Sequence, residues 1–307
     1  MKKPAYIAID WGSSRFRAYL LTHHMDIIDS IDQAEGVKQH QHQDYALICK
    51  RLLNNWSYAI QTLHLPLFMA GMVGSNIGWH EVPYLSCPLS LSTISKQIVK
   101  RKSPWDTHMY IIPGIKLEHD RRVDIMRGEE TLMIGAVELM QTEIYCLPGT
   151  HSKWIEIKNE RLQNFTTMIT GELYAILKDH SLLAQGLPTQ QFNQQWFDEG
   201  IMEMKQSDSS LLVYLFNVRA KRMLGKLPKA NVLSYLSGLL IGAELCTMRQ
   251  KLLIHKDRFL SILASPMLQQ RYVSACNLLG ICTKVIDSET AFIKGIHTLI
   301  KGLNDET

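Results

Sequence analysis

The sequence predicts an α/β protein of two related domains, and three observations predict it. An apolar strand, a turn of small hydroxyl residues and a second strand open the chain at residues 7–21, and the same order returns at 144–157, roughly half a chain later. Strand and helix alternate between residues 258 and 302, which implies a parallel sheet edge. A chain of 307 residues accommodates one large domain or two medium ones, each with its own core, and two is the better reading.

Taken in order, Ile7–Ile9 and Phe16–Leu21 are rich in β-branched and aromatic residues and read as strands either side of Gly12, Ser13 and Ser14. A plain hairpin needs only the glycine. This turn adds backbone N–H groups, two hydroxyls and Arg15 beside Asp10 at a strand end, an inventory that suits a phosphate and its Mg²⁺. Tyr45, Ile48, Leu52, Trp56, Ala59 and Leu63 recur at helical spacing after Asp44, an N-cap, and predict a helix of about five turns on one sheet face. Residues 66–79 (PLFMAGMVGSNIGW) read as a buried strand entering a loop whose glycines let a ligand approach the backbone. Residues 109–114 form a strand ending in Pro-Gly, and 126–140 a helix with Glu129 and Glu130 in its first turn.

At 144–157, Ser152, Lys153 and Trp154 take the places of Ser14, Arg15 and Phe16, so each half begins a similar domain and a cleft lies between them. Further on, Gly238 and Gly242 sit one turn apart in an apolar helix, a face that permits close backbone approach. A strand at 258–266, a helix ended by Gly280, a strand at 281–287 and a helix at 288–302 complete the chain. Residues 188–210, the most polar stretch, read as a surface excursion.

Composition excludes several classes of function. A net charge of +4 with scattered Lys and Arg leaves no footprint for a polyanion, so nucleic acid is not an expected partner. The six cysteines are widely spaced and form no C-x-x-C pair, which argues against a zinc site or a disulfide framework and for reduced thiols in a cytoplasm. Asp10 interrupts the apolar run after Lys2 and Lys3 too early for a signal peptide, and the stretch 236–248 contains Glu244 and is too short to span a bilayer, so no membrane is expected. His40 and His42 in HQHQ lack acidic or cysteine partners and read as a solvated loop, while Met126, Met133 and Met140 read as core. Oligomeric state is not legible, and a homodimer is held open.

The segments IAIDWGSSRFRAYL, MAGMVGSNIGWHEVPYLSCP, IIPG, MRGEETLMIGA, LPGTHSKW, MTGEL and LSGLLIGAE occur in order along almost the whole chain and together closely resemble the 2-dehydro-3-deoxygalactonokinases. The resemblance implies two actin-like (ribonuclease H-like) lobes with mixed sheets flanked by helices and a cleft between the lobes. It implies an N-terminal lobe over 1–140 with the acceptor and first phosphate turn, and a C-terminal lobe over 141–307 with the second phosphate turn and the nucleotide, hinged around 135–145. It further implies transfer of the ATP γ-phosphoryl group to the terminal (C6) hydroxyl of a 2-keto-3-deoxy sugar acid in galactonate breakdown, with Mg²⁺.

Phosphoryl transfer mostly needs positioning and neutralisation of three oxygens, which two hydroxyl and amide turns supply. Asp10 is expected to hold Mg²⁺, with Gly12, Ser13, Ser14 and Arg15 on phosphate oxygens; Gly149, Thr150, Ser152 and Lys153 cradle the triphosphate from the other side. His151 reads as a local hydrogen-bond partner. The base is sought in RGEE, where the helix dipole keeps a carboxylate ionised, and many actin-like sugar kinases open a helix there with Gly and an acid; Glu129 is first choice and Glu130 second. The acceptor falls to Gly74, Ser75, Asn76 and Trp79, with Arg127 as a bidentate carboxylate partner, although these glycines can equally make a simple turn with Trp79 in the core.

Gly238, Gly242 and Ser265 are assigned to the nucleotide. The chain departs from the family at Ala264-Ser265-Pro266-Met267, where a glycine is usual, and proline removes a donor. A non-catalytic sugar-acid sensor or pseudokinase on the same fold therefore stays open, and a phosphohydrolase more weakly.

Overall fold

In the computed structural model, which describes residues 2–41, 43–119, 122–206, 210–252, 254 and 258–304, the chain divides into two units. The first comprises Met1–Gln141, Ile157–Phe165 and Ser288–Thr307, and the second Thr142–Glu156 and Thr166–Asp287. The chain first passes from one to the other between Gln141 and Thr142.

The first unit opens with an antiparallel meander of β1 (Tyr6–Trp11), β2 (Phe16–Leu21) and β3 (Ile27–Gln33). Helices α1 (Tyr45–Leu52) and α2 (Ser57–Leu63) lead to β4 (Leu67–Gly71), which lies parallel to β1. Then come β5 (Leu85–Ser86), β6 (Leu89–Ser90), α3 (Ser92–Lys96), β7 (Val99–Lys102) and β8 (His108–Ile111). A hairpin of β9 (Ile115–His119) and β10 (Arg122–Met126) runs into α4 (Glu129–Leu139). The main sheet is ordered β3-β2-β1-β4-β8-β7. Ile7, Ile9, Trp11, Phe16 and Ala18, at period two along their strands, join Ile48, Leu52, Trp56 and Ile60 of the helical segment in one core. Trp11 is fully buried there, and its truncation to Ala would cost about 3–5 kcal/mol.

The second unit contains β11 (Ile144–Leu147), β12 (Ser152–Lys158) as far as Glu156, β13 (Arg161–Met168) from Thr166 onward, α5 (Thr170–His180), α6 (Gln194–Lys205), α7 (Leu211–Met223), α8 (Val232–Lys251), β14 (Leu260–Ala264), α9 (Pro266–Leu279) and β15 (Thr283–Asp287). Its strands are ordered β15-β14-β11-β12-β13. β11 pairs antiparallel with β12 and parallel with β14, and β14 pairs parallel with β15. That is the arrangement of β2, β1, β4 and β8, so the repeated strand, turn and strand of the sequence opens the same mixed sheet twice.

Several expectations are corrected. The residue-by-residue match of the two turns fails: Trp11 pairs with Phe16 around four turn residues, whereas Leu147 pairs with Lys153 around five, so Lys153 is a strand residue and Arg15 a turn residue. The long helix after Asp44 breaks at Leu53 into α1 and α2, with a single 3-10 turn at Asn54–Trp56 between them; Asp44 does cap it, accepting from Ala46 and Leu47. Residues 194–205 are not an excursion but α6, whose Phe197, Gly200 and Ile201 are buried against α8; residues 207–209 lie outside the described residues. The last helix, α10 (Ser288–Asn304), belongs with the first unit rather than with the second half of the sequence, because Gly295 and Gly135 bring its backbone against α4. His40 is buried, with Nε2 2.9 Å from the Glu35 carboxylate, while His42 lies outside the described residues. The apolar helix at Lys229–Lys251 is mostly buried inside the protein, and no disulfide forms among the described residues.

Candidate active site

In the first unit, Asp10 is the penultimate residue of β1 and pairs across the ladder with Arg17, whose Nη2 donates to Asp10 Oδ2. The other carboxylate oxygen is bordered by bare backbone. A Cβ on Gly71 would stand 3.3 Å from Oδ1 and one on Gly128 4.0 Å from it. Both glycines have positive φ, 93° and 106°, where side chains are strained, so the end of β4 and the start of α4 can converge on Asp10.

The two glutamates that open α4 have different surroundings. Glu129 is half-buried, and its Oε2 accepts from the Arg127 N–H at 2.9 Å. Glu130 is fully buried; it accepts from the Gly128 N–H at 2.6 Å, and Thr131 Oγ1 donates to it at 3.2 Å. Burial, helped by the charge of Glu129, pushes the Glu130 carboxyl up to about 8. The helix dipole was expected to keep either acid ionised; at Glu130, desolvation outweighs it.

Arg127 is buried, and it is incompletely partnered. Its Nη2 donates to Val82 O at 2.7 Å and its guanidinium lies 4.1 Å from the centre of the Tyr84 ring, but Nε and Nη1 are buried with no hydrogen-bond partner among the described residues. A Cβ on Gly74 would come within 2.9 Å of Nη1, so the glycine lets the loop close over the guanidinium. A buried donor left without an acceptor costs about 1–3 kcal/mol, more when charged. An incoming anion would satisfy both donors.

The rest of that loop is occupied with itself. The Ser75 hydroxyl donates to Met72 O at 2.7 Å, and the Trp79 N–H to Val73 O at 2.9 Å. Trp79 packs against the first core and Asn76 is exposed. Of the expected acceptor residues, the structure brings Gly74 and Arg127 together.

In the turn after β1, the Gly12 and Ser13 carbonyls accept from Val37 and Lys38 N–H, which pins the turn to the segment 37–40. Ser13 is half-buried and Ser14 exposed. Arg15 does not reach into the turn: it makes two hydrogen bonds to Asp32 of β3, at 2.9 and 2.7 Å. The cation set beside Asp10 is Arg17, which sequence reasoning missed; two strands joined by a four-residue turn already make Asp10 and Arg17 cross-strand neighbours.

In the second unit, Gly149, Thr150 and His151 form the turn between β11 and β12. Gly171 lets the start of α5 close on it, since a Cβ there would lie 2.2 Å from Gly149 O, and the Glu172 N–H donates to Thr150 O at 2.9 Å. His151 Nε2 lies 2.7 Å from Glu172 Oε2, the local partnership expected of it. Lys153 is buried and donates to Thr167 Oγ1 at 2.8 Å. Ser152 is buried, with its hydroxyl 3.2 Å from that of Tyr272.

Gly238 and Gly242 are corrected. Both are buried, and a Cβ would meet Phe197 O at 2.0 Å or Ile201 Cα at 3.0 Å, so they serve the contact of α8 with α6 and are closed to a nucleotide. Ser265 is the exposed N-cap of α9. Pro266 sits at the first helical position, where its missing N–H has no partner within the helix in any case, and Ala264 ends β14 as an ordinary buried strand residue. The departure from the family at 264–267 therefore costs the backbone nothing.

A mixed sheet of one topology used twice, each copy opening on a hydroxyl-bearing turn, defines the class of proteins with the actin-like fold. The solved structure of the activator of 2-hydroxyisocaproyl-CoA dehydratase from Clostridium difficile with bound ADPNP shares this fold, with a TM-score of 0.51 at 10% identity over 98% of this chain and 96% of that one. The chain belongs to the 2-keto-3-deoxy-galactonokinase family, which it matches over residues 10–299. It is 37% identical over 294 residues to 2-dehydro-3-deoxygalactonokinase of Escherichia coli strain K12, covering 96% of this chain and 97% of that protein. A crystal structure from Sinorhizobium meliloti, provisionally given the same enzyme name, matches with a TM-score of 0.88 at 26% identity over 97% of this chain and 99% of that one. The protein is an ATP-dependent carbohydrate kinase that acts on a small sugar acid.

Proposed function

We propose that the protein transfers the γ-phosphoryl group of ATP to the C6 hydroxyl of 2-dehydro-3-deoxy-D-galactonate, in galactonate breakdown in the cytoplasm. The observation that carries this reading is Arg127, a buried guanidinium whose Nε and Nη1 have no partner among the described residues. A keto acid brings a carboxylate and an adjacent carbonyl oxygen, acceptors of the kind these donors lack. The Tyr84 ring lies against the guanidinium, and Gly74 leaves it room.

Glu129 is the proposed base. It is half-buried and stands at the mouth of α4 beside Asp10's glycine wall, where it can accept the proton of the acceptor hydroxyl. Glu130, buried and carrying its own proton near neutral pH, fixes the turn at Gly128 instead. Gly12, Ser13 and Ser14 in the first unit, and Gly149 and Thr150 with Lys153 in the second, are the proposed phosphate ligands; Ser152, expected among them, is fully buried with its hydroxyl against Tyr272 and is not one.

The donor set fits Mg²⁺. Asp10 offers a hard oxygen, Oδ1, bordered by the bare backbone of Gly71 and Gly128, and one or two carboxylates with water and phosphates usually hold this ion. The ion would neutralise charge on the phosphoryl group. Arg17 holds Asp10 in place for that role.

Incubating the protein with ATP, Mg²⁺ and a panel of 2-keto-3-deoxy acids, with NMR of the products, tests the proposal. It predicts ADP and a 6-phosphate, with the galacto epimer preferred. Release of inorganic phosphate without a phosphorylated acid, or phosphorylation at another hydroxyl, contradicts it. The sensor reading, which rests on the departure at 264–267, is countered by membership of a kinase family over residues 10–299, and ADP release in this assay decides between the two.

A further inference from the structure

Glu244 lies in the middle of α8, is 1% exposed, and gathers donors from four separate elements. Trp154 Nε1 of β12 donates to its Oε1 at 2.8 Å, and Cys146 Sγ of β11 lies 3.9 Å from the same oxygen. Thr170 Oγ1, at the start of α5, donates to Oε2, and Tyr272 OH of α9 does so at 3.0 Å. Tyr272 OH in turn lies 3.2 Å from Ser152 Oγ.

These contacts surround the turn at 149–151 on both sides. Cys146 lies on β11 three residues before it, Ser152 directly follows it, and Trp154 is two residues further along β12. Thr170 precedes Gly171, whose lack of a side chain seats the start of α5 on Gly149 O. A carboxyl so deeply buried carries a large desolvation cost, which burial expresses by raising its pKa against the hydroxyl and indole donors that oppose the rise. Leu or Met would fill this position in α8 without that cost. What this hub sets is geometry: Thr170 adjoins Gly171, which seats α5 on Gly149 O, and Tyr272 joins Glu244 to Ser152 at the end of the turn.

We propose that Glu244 is a positioning residue for phosphoryl transfer: through Ser152–Tyr272, Trp154 and Thr170 it fixes the turn Gly149–Ser152 in the conformation that receives the nucleotide's phosphates. This rests on the proposed phosphate role of that turn. Glu244 itself touches no phosphate.

The test uses the full-length protein in four forms: wild type, Glu244→Gln, Tyr272→Phe and Thr150→Ala. Glu244→Gln is nearly isosteric and Tyr272→Phe removes one hydroxyl, so both are expected to fold, which a thermal melt checks. ADP affinity is measured by calorimetry, and KM for ATP and for the acceptor separately. The proposal predicts ADP binding at least tenfold weaker and a matching rise in KM for ATP in both hub variants, with KM for the acceptor within twofold of wild type. Three results overturn it: unchanged ADP affinity in folded Glu244→Gln and Tyr272→Phe; equal rises in both KM values together with a fallen melting temperature, which is the mark of a merely structural role; and failure of Glu244→Gln to fold while Tyr272→Phe folds with wild-type ADP affinity. Thr150→Ala separates the two levels of the argument. If it too leaves ADP affinity unchanged, the phosphate reading of the turn fails and the hub falls with it; if it weakens ADP while the hub variants do not, only the hub fails.

Discussion

Arg17 faces Asp10 across the β1–β2 ladder and donates to its Oδ2, so the carboxylate at the end of β1 is oriented by a charge on the neighbouring strand. Its Oδ1 is left against the bare backbone of Gly71 and Gly128.

Asp10→Asn keeps an oxygen for Arg17 and removes the charge. Turnover should fall by about three powers of ten or more, since an amide cannot hold a divalent ion against phosphates. The melting temperature should change by a few degrees at most. Rate and melt on one preparation check this. A variant with most of its activity at saturating Mg²⁺ and ATP would make Asp10 a turn residue only.

The two glutamates of α4 separate by accessibility. Glu129→Gln should lower kcat by about 10²–10⁴, the range for loss of a general base, with little change in either KM. Glu130→Gln should retain most of kcat, because Glu130 is buried under Gly128. Steady-state kinetics of the pair decide, and the reverse ranking would move the base to Glu130.

Burial pushes the Glu130 carboxyl up to about 8 from an ordinary 4.5. The folded state therefore holds this proton between those values while the unfolded chain releases it, so this group's contribution to stability falls as pH rises through that window and levels off above it. Glu130→Gln cannot ionise. Its melting temperature relative to wild type should rise steadily from pH 5 to pH 8 and then stay constant. A pH-independent difference would contradict the buried, protonated state.

Much of the fold was legible because it is written in local patterns. The turn glycines and hydroxyls at 12–14 and 149–152, and the alternation after residue 258, mark the repeated sheet by rules that act within a few residues. What was missed depends on distant partners. Arg15 and Lys153 look alike in sequence, yet register makes one a turn residue paired with Asp32 and the other a buried strand residue. Phe197 and Ile201 hide in a polar stretch because a helix needs only one apolar face. Glu130 differs from Glu129 only through what surrounds it. Gly238 showed that two backbones approach, but not that the second belongs to α6.

That last correction has its own test. In Gly238→Ala the new methyl would meet Phe197 O at 2.0 Å, so α6 and α8 must move apart at a cost of about 1–3 kcal/mol. Denaturant melts should show that loss, while KM for ATP in the folded protein stays within twofold of wild type. A raised KM with unchanged stability would return Gly238 to the nucleotide.

The most direct test of the substrate assignment compares acceptors at Arg127. For wild type and Arg127→Met, kcat/KM is measured with 2-dehydro-3-deoxy-D-galactonate and with an analogue whose carboxylate is replaced by a hydroxymethyl group. If Nε and Nη1 wait for the acid, wild type should favour it over the analogue by about 10²–10³, as for a buried charge-assisted pair, and Arg127→Met should lose nearly all of that preference. A variant that still discriminates as strongly as wild type would show that the carboxylate is held elsewhere, and would contradict the account.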